Sequence, residues 1–226
     1  MGEMVQFASN GSTASGYLAV PRSGSGPGVI VIQEWWGLVP HIKDVADRFA
    51  SAGFVALAPD LYDGHATTEP DEAGKAMMNL ELQRSASHMT GAVDFLIGHP
   101  ATTSDRIGAV GFCMGGGLVL WLSTLKPEIA ACVPFYGAIP WDSMQPDYTD
   151  AQAAYMGHYA ENDGWATQDG ARKLEEHLID LGKDAIFYFY ENTDHAFFND
   201  DRTEVYDEAA SQLAWDRTIG FFRDRL

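Results

Sequence analysis

The sequence predicts an α/β fold: a mostly parallel central sheet with helices on both faces and a leading N-terminal hairpin. Two observations carry this reading. Short, uninterrupted apolar runs recur along the chain, as expected for strands buried on both faces. Stretches with helical spacing of apolar residues separate them, and alternating β and α segments build parallel sheets through right-handed crossovers.

Residues 4–20 show weak alternation around the turn Asn10-Gly11-Ser12 and read as the hairpin. After a turn over 24–28, the run Gly28-Val29-Ile30-Val31-Ile32 is the first buried strand. Residues 41–53 carry Ile42, Val45 and Phe49 on one helical stripe and stop at Gly53, a good C-terminal signal. The next strand, 54–58, is ended by Pro59-Asp60. Residues 71–99 are mostly helical, divisible into two helices; the first half is poor in aliphatic side chains and is expected outside the main layers. A strand over 107–112 is followed by a helix over 118–125. Three further apolar runs lie at 131–136, 154–159 and 185–190, with a helix over 166–181 between the last two. Near-helical spacing of Val205, Ala209, Leu213, Ile219 and Phe222 predicts a closing helix over 204–226.

The chain has 226 residues, which suits one α/β domain spanning 1–226, and 46% of them are hydrophobic, enough for a large core. Its net charge of −18 repels phosphate backbones and anionic lipids, so neither nucleic acid nor a membrane surface is an expected partner. The first 24 residues lack a basic segment followed by an apolar one, so no secretory signal is expected. No apolar run approaches the ~20 residues that span a bilayer. Two cysteines are too few for a disulfide framework and point to a reducing, cytoplasmic setting. A monomer or small homo-oligomer is expected.

The strongest local signal is Gly111-Phe112-Cys113-Met114-Gly115, placed where a buried strand gives way to a helix. It is the nucleophile-elbow pattern G-x-S-x-G with Cys in place of Ser. A sharp strand-to-helix turn strains the nucleophile's backbone and leaves its neighbours no room for side chains. It also puts Cys113 at a helix N-terminus, where the dipole lowers a thiol pKa. A buried structural cysteine is the rival reading for the motif alone. A dinucleotide fingerprint fits less well, because Gly111, Gly115, Gly116 and Gly117 do not make G-x-G-x-x-G.

A thiol nucleophile needs a base, and the base needs an orienting acid. In α/β-hydrolases these follow in the order nucleophile, acid, histidine. Asp163 lies just beyond the run ending at Tyr159, and His195 just beyond the run ending at Tyr190. Asp194 competes with Asp163 for the acid role, and Glu161 competes more weakly. The stretch Gln33-Glu34-Trp35-Trp36-Gly37 ends the first buried strand, where this fold supplies one oxyanion donor from the backbone. That nominates the N–H groups of Trp35 and Met114. Trp35 and Trp36 suit pocket lining and core packing equally. The remaining histidines, including His41, His88 and His158, read as helix, core or edge residues, and Cys132 as an inert buried thiol. No His or Cys spacing suits a metal, and no cofactor is expected.

With these residues in place, the sequence resembles the dienelactone hydrolase family. The matching segments are Val31-Ile32-Gln33-Glu34-Trp35-Trp36-Gly37, Ala58-Pro59-Asp60-Leu61-Tyr62, Val110-Gly111-Phe112-Cys113-Met114-Gly115-Gly116, the Asp163 loop and Asp194-His195-Ala196-Phe197. The resemblance implies an α/β-hydrolase fold and a Cys113–Asp163–His195 triad cleaving an ester or lactone. It further implies that Glu34 contacts the thiol and helps ionise it when substrate binds. Members that act on dienelactones hold the substrate carboxylate with arginines, one shortly after the histidine. Here that position lacks an arginine; Arg202 is a displaced candidate and Arg84 another, with Trp36 and Phe197 as further candidate substrate contacts. Three other readings stand beside this one: a general carboxylesterase or thioesterase, a ligand-binding member without activity, and a thiol redox sensor, for which Cys132 makes a poor resolving cysteine.

Overall fold

A computed structural model describes residues 2–226. The elements in chain order are β1 (Glu3–Ser9), β2 (Ser12–Ala19), β3 (Gly28–Ile32), α1 (Pro40–Ser51), β4 (Val55–Pro59), α2 (Pro70–Met78) and α3 (Leu82–Gly98). They continue with β5 (Ile107–Phe112), α4 (Met114–Leu125), β6 (Ile129–Phe135), β7 (Ala154–Ala160), α5 (Gln168–Asp180), β8 (Ala185–Tyr190) and α6 (Glu208–Arg225). All eight strands form one sheet in the order β1-β2-β4-β3-β5-β6-β7-β8. The β1–β2 hairpin is antiparallel and joins β4 antiparallel; every later pairing is parallel.

The central strands β3, β4, β5 and β6 are buried at every residue, so their uninterrupted apolar sequences follow from being covered on both sides. One cover is α1 with α6, where Phe49 meets Trp215 and Phe222. The opposite cover holds α3 and α4 in mutual contact. Its α5 side is tied in through Tyr155, whose hydroxyl meets Ser123 of α4 and whose ring meets Tyr148, itself against His177 of α5. The helix α2 buries only Ala73, in keeping with its aliphatic-poor sequence. His158, in the interior strand β7, spends its ring on the hydroxyls of Tyr190 and Thr218. Burial drives its pKa down to about 3, so it is a neutral core residue.

Two helix starts differ from the sequence reading by four residues. The last helix begins at Glu208, because the Asp207 side chain accepts the Ala210 N–H and caps it there. The helix after β5 begins at Met114, four residues earlier than propensity suggests, and takes in all of Gly115-Gly116-Gly117. Glycines are poor helix formers, but here the helix lies directly on strand backbone. A Cβ on Gly115 would come within 2.5 Å of the carbonyl oxygens of Ile32 and Gln33. One on Gly116 would come within 2.6 Å of Gly137 Cα. Packing therefore overrides propensity at this point.

Gly116→Ala is expected to cost about 1–3 kcal/mol in urea unfolding, the usual penalty for overpacking. Gly220→Ala, in α6 with open space at its Cα, should be neutral or slightly stabilising. Equal stability of the two variants would contradict this account of α4.

Candidate active site

The carboxyl ends of β3, β5, β6, β7 and β8 bring the chemically distinctive residues together, as open parallel sheets do. Cys113 stands between β5 and α4 with φ 55° and ψ −118°, a strained conformation for a residue with a side chain. Its amide donates to the Phe135 carbonyl at 3.0 Å, and its own carbonyl accepts from Gly116 at 2.9 Å. The turn is thus fixed from both sides. The thiol is 7% exposed and opens on a cavity of 270 Å³. Trp35, Trp36, Met77, Trp165, His195 and Arg202 are among the residues that line this cavity with Cys113.

His195 reaches the cavity from the loop after β8. Its Nδ1 lies 2.6 Å from Asp163 Oδ2, in the loop after β7. The other carboxylate oxygen, Oδ1, accepts the N–H groups of Trp165 and Ala166, each at 2.8 Å. Burial opposes ionisation of Asp163, but these bonds and the His195 charge outweigh it and hold the carboxyl below its ordinary range. The rings of Tyr136 and Trp165 meet the imidazole edge-on at 5.0 and 5.3 Å. Asp194 is exposed, and Glu161 is occupied with the Asn192 amide at 2.7 Å, so of the three carboxylates Asp163 is the one bound to His195.

Glu34 is 1% exposed and its Oε2 accepts from Asn199 Nδ2 at 2.7 Å. Burial raises its pKa, while His41, the Asn199 bond, His195 and Arg202 pull it down. The helix dipole was expected to depress the Cys113 thiol; the opposite holds. Burial pushes its pKa well up, the charges of Glu34 and Asp163 add to this, and only the N–H groups of Met114 and Trp35 favour the anion. A thiol sealed among carboxylates rests protonated, because desolvation and like charge outweigh a half-charge dipole. Both nominated backbone donors therefore address the sulfur, where charge would develop.

Two candidate substrate contacts lie elsewhere. Arg84 is 53% exposed and pairs with Asp63 at 2.7 Å, so it stands outside the cavity. Phe197 is fully buried against the rings of Tyr136 and Tyr190, and packs the loop rather than lining the cavity. Trp36 and Arg202 do line it, but Arg202 is already paired with Glu204 at 2.8 Å. Sequence reasoning passed over His41, Asn199, Tyr136 and Trp165. His41 had a legible signal: it shares a stripe with Val45 and Phe49, and a polar residue on an apolar stripe needs a partner. Two larger surface grooves, of 920 and 480 Å³, do not include Cys113. Among the described residues no group of His, Cys, Asp and Glu is arranged to hold a metal ion. No helix among them is long and apolar enough to cross a membrane.

A mostly parallel sheet with a strained residue at a glycine-lined strand-to-helix turn is the α/β-hydrolase architecture. Comparison with known proteins narrows this. The profile of the Dienelactone hydrolase family matches residues 14–226. "Protein usf" of Aquifex pyrophilus is 37% identical over the full length of both chains. A protein of Aquifex aeolicus (strain VF5) that carries the name "Putative carboxymethylenebutenolidase" is 33% identical, also over the full length of both. The crystal structure of a dienelactone hydrolase-like promiscuous phosphotriesterase from metagenomic libraries superimposes with a TM-score of 0.88, covering 100% of this chain and 98% of that one. At 23% identity, that likeness is one of fold. This chain belongs to the dienelactone hydrolase family, and it is a hydrolase.

The Asp163 carboxyl is held low, so it stabilises the fold fully above the ordinary carboxylate range, about pH 4, and that contribution is lost as pH falls through its lower folded value. Asp163→Asn is therefore expected to lower stability at pH 7 but to converge with wild type in acid. A gap in urea midpoint that stays constant from pH 7 to pH 3 would refute the pairing's role.

Proposed function

We propose that the protein hydrolyses an ester or lactone with Cys113 as nucleophile, His195 as general acid and base, and Asp163 as its orienting acid. One observation carries this reading: the strained Cys113 and the Asp163-bound His195 open on the same cavity, 2.6 Å separating His195 Nδ1 from its carboxylate. Glu34 takes the thiol proton as substrate enters and displaces water. The thiolate attacks the carbonyl carbon, and the N–H groups of Met114 and Trp35 receive the oxyanion, at about 3–4 kcal/mol per donor. The tetrahedral intermediate collapses to a thioester as the thiol proton, passed on from Glu34 through His195, goes to the leaving alkoxide and returns both groups to their starting state. His195 then takes a proton from water, whose oxygen cleaves the thioester and releases the acid; the thiol is restored.

The substrate reading is a dienelactone-like lactone, with a general carboxylesterase or thioesterase as the second. The second gains from the cavity itself. Its walls carry three tryptophans and Met77, and its one arginine, Arg202, is engaged by Glu204. Uncharged aromatic or alkyl esters suit such walls better than carboxylates. The redox-sensor reading loses ground, because a sensor thiol needs a low pKa and this one is raised. Both cysteines are free, which fits a cytoplasmic enzyme acting as a single domain over residues 1–226.

With p-nitrophenyl acetate, Cys113→Ala is expected to lower turnover by about a thousandfold or more. Activity comparable to wild type would overturn the nucleophile assignment. Glu34→Gln should separate two quantities. The Glu34 charge holds the thiol up, so iodoacetamide should alkylate Cys113 faster in the variant, while ester turnover slows for want of the base. No change in either rate removes Glu34 from the mechanism.

A further inference from the structure

The cavity around Cys113 has walls of two kinds. On one side the rings of Trp35 and Trp36 meet at 4.9 Å, and α2 backs them. Gly74 of that helix faces the Trp35 ring, from which a Cβ there would stand 3.7 Å. The Trp141 indole donates to the Met77 carbonyl at 3.1 Å and pins the end of the helix. On the other side stands Trp165, in the loop between β7 and α5. It is 36% exposed, and it is the only exposed aromatic residue among those described. Tryptophan is highly buried on average, so a bare indole in the wall of a cavity points to an occupant.

The backbone that carries this ring is held in place. Asp163 Oδ1 accepts the Trp165 N–H, and the next residue, Ala166, is buried and donates to the same oxygen. Thr167 then caps α5 by accepting the Gly170 N–H at 3.2 Å. The indole is thus presented on a fixed main chain, so a ligand that meets it pays little to order it. Its neighbour inside the cavity is His195, whose imidazole it meets edge-on at 5.3 Å. The second ring against His195, that of Tyr136, is fully buried. Of the two, only Trp165 lines the cavity.

We infer that Trp165 is a specificity-determining residue: it forms the face of the leaving-group subsite and selects esters of phenols, whose leaving group is an aromatic ring. The inference rests on the hydrolase reading above, in which His195 hands a proton to the leaving oxygen and the N–H groups of Trp35 and Met114 receive the carbonyl oxygen. Those roles assign the two halves of the substrate. The acyl half carries the carbonyl, so it lies on the Trp35 side, with Trp36 and Met77. The leaving oxygen must stand within hydrogen-bond reach of His195, so its substituent lies on the Trp165 side. The acyl side is closed in by α2, whereas the Trp165 side reaches solvent. A planar leaving group can therefore stack on the indole and depart outward. Such a ring gains a stacked or edge contact that a saturated group of similar size lacks. Arg202, also on the wall, is paired with Glu204 and does not favour an anionic substituent instead.

The test compares acetate esters on the full-length protein, so that every substrate leaves the same acetyl group on Cys113. β-Naphthyl acetate carries a large aromatic leaving group, and hexafluoroisopropyl acetate a compact saturated one of comparable acidity. In Trp165→Ala the ratio of kcat/KM for the naphthyl ester to that for the fluoroalkyl ester should fall about tenfold, and Trp165→Phe, which keeps an aromatic face, should retain most of the ratio. The main-chain bond to Asp163 survives both substitutions and the side chain is exposed, so both variants are expected to fold. An unchanged ratio in Trp165→Ala overturns the inference, whether or not both rates fall together, since an equal fall marks a ring that only supports His195. The second readout needs no turnover. β-Naphthol, followed by its own fluorescence, should bind wild type about tenfold more tightly than Trp165→Ala, and equal affinity also overturns the inference. Absence of ester turnover in wild type would instead defeat the hydrolase reading, and the naphthol titration would still decide whether Trp165 forms an aromatic subsite.

Discussion

The contact of α4 with the strand backbones beneath it governs the rest of the molecule. Gly115 rests on the carbonyls that end β3, and Gly116 on the chain just past β6. The ends of the two strands that flank β5 and the start of a helix are thereby brought to backbone-contact distance. The single residue between β5 and α4 must then turn with a positive φ, and Cys113 bears that strain. The same contact aligns the amides of Met114 and Trp35 on its sulfur, one from the helix and one from the chain beyond β3. The placing of the thiol and of the two N–H groups that address it is in this sense one packing decision.

Around that turn, buried charge is arranged to keep the thiol quiet. Desolvation and two carboxylates hold Cys113 protonated at rest. A stable thiolate would be exposed to oxidation, whereas a resting thiol is not. Two histidines are each tied by Nδ1 to an aspartate: His195, which lines the cavity, to Asp163, and His41, in the first turn of α1, to Asp200. One loop, from His195 to Arg202, supplies contacts to both sets. Phe197 and Phe198 pin that loop into the core between them, which explains why so short a segment can hold polar groups in two directions.

The cavity bears on specificity. Tryptophans at 35, 36 and 165 give it large rigid faces, and its arginine is neutralised at the rim. Asn199 stands near the place where an arginine after the histidine would serve a carboxylate substrate, and its amide is spent on Glu34. The strongly acidic surface, with a net charge of −18, acts in the same direction against anionic substrates.

The sequence by itself determined what depends on local pattern. Uninterrupted apolar runs marked the buried strands, helical stripes marked the covers, and Gly-Phe-Cys-Met-Gly marked the elbow, because each is a constraint on neighbouring residues in the chain. The order Cys113, Asp163, His195 was legible for the same reason, since strand ends are visible as the ends of apolar runs. The tertiary structure alone decided which groups share a space. It turned Arg84 out to Asp63, sank Phe197 into the core, drew the start of α4 back to Met114, and tied His41 to Asp200. It also reversed the expected thiol pKa. A helix dipole can be read from sequence, but the burial and opposing carboxylates that outweigh it come from β3, β7 and their loops, whose approach to Cys113 no local pattern encodes.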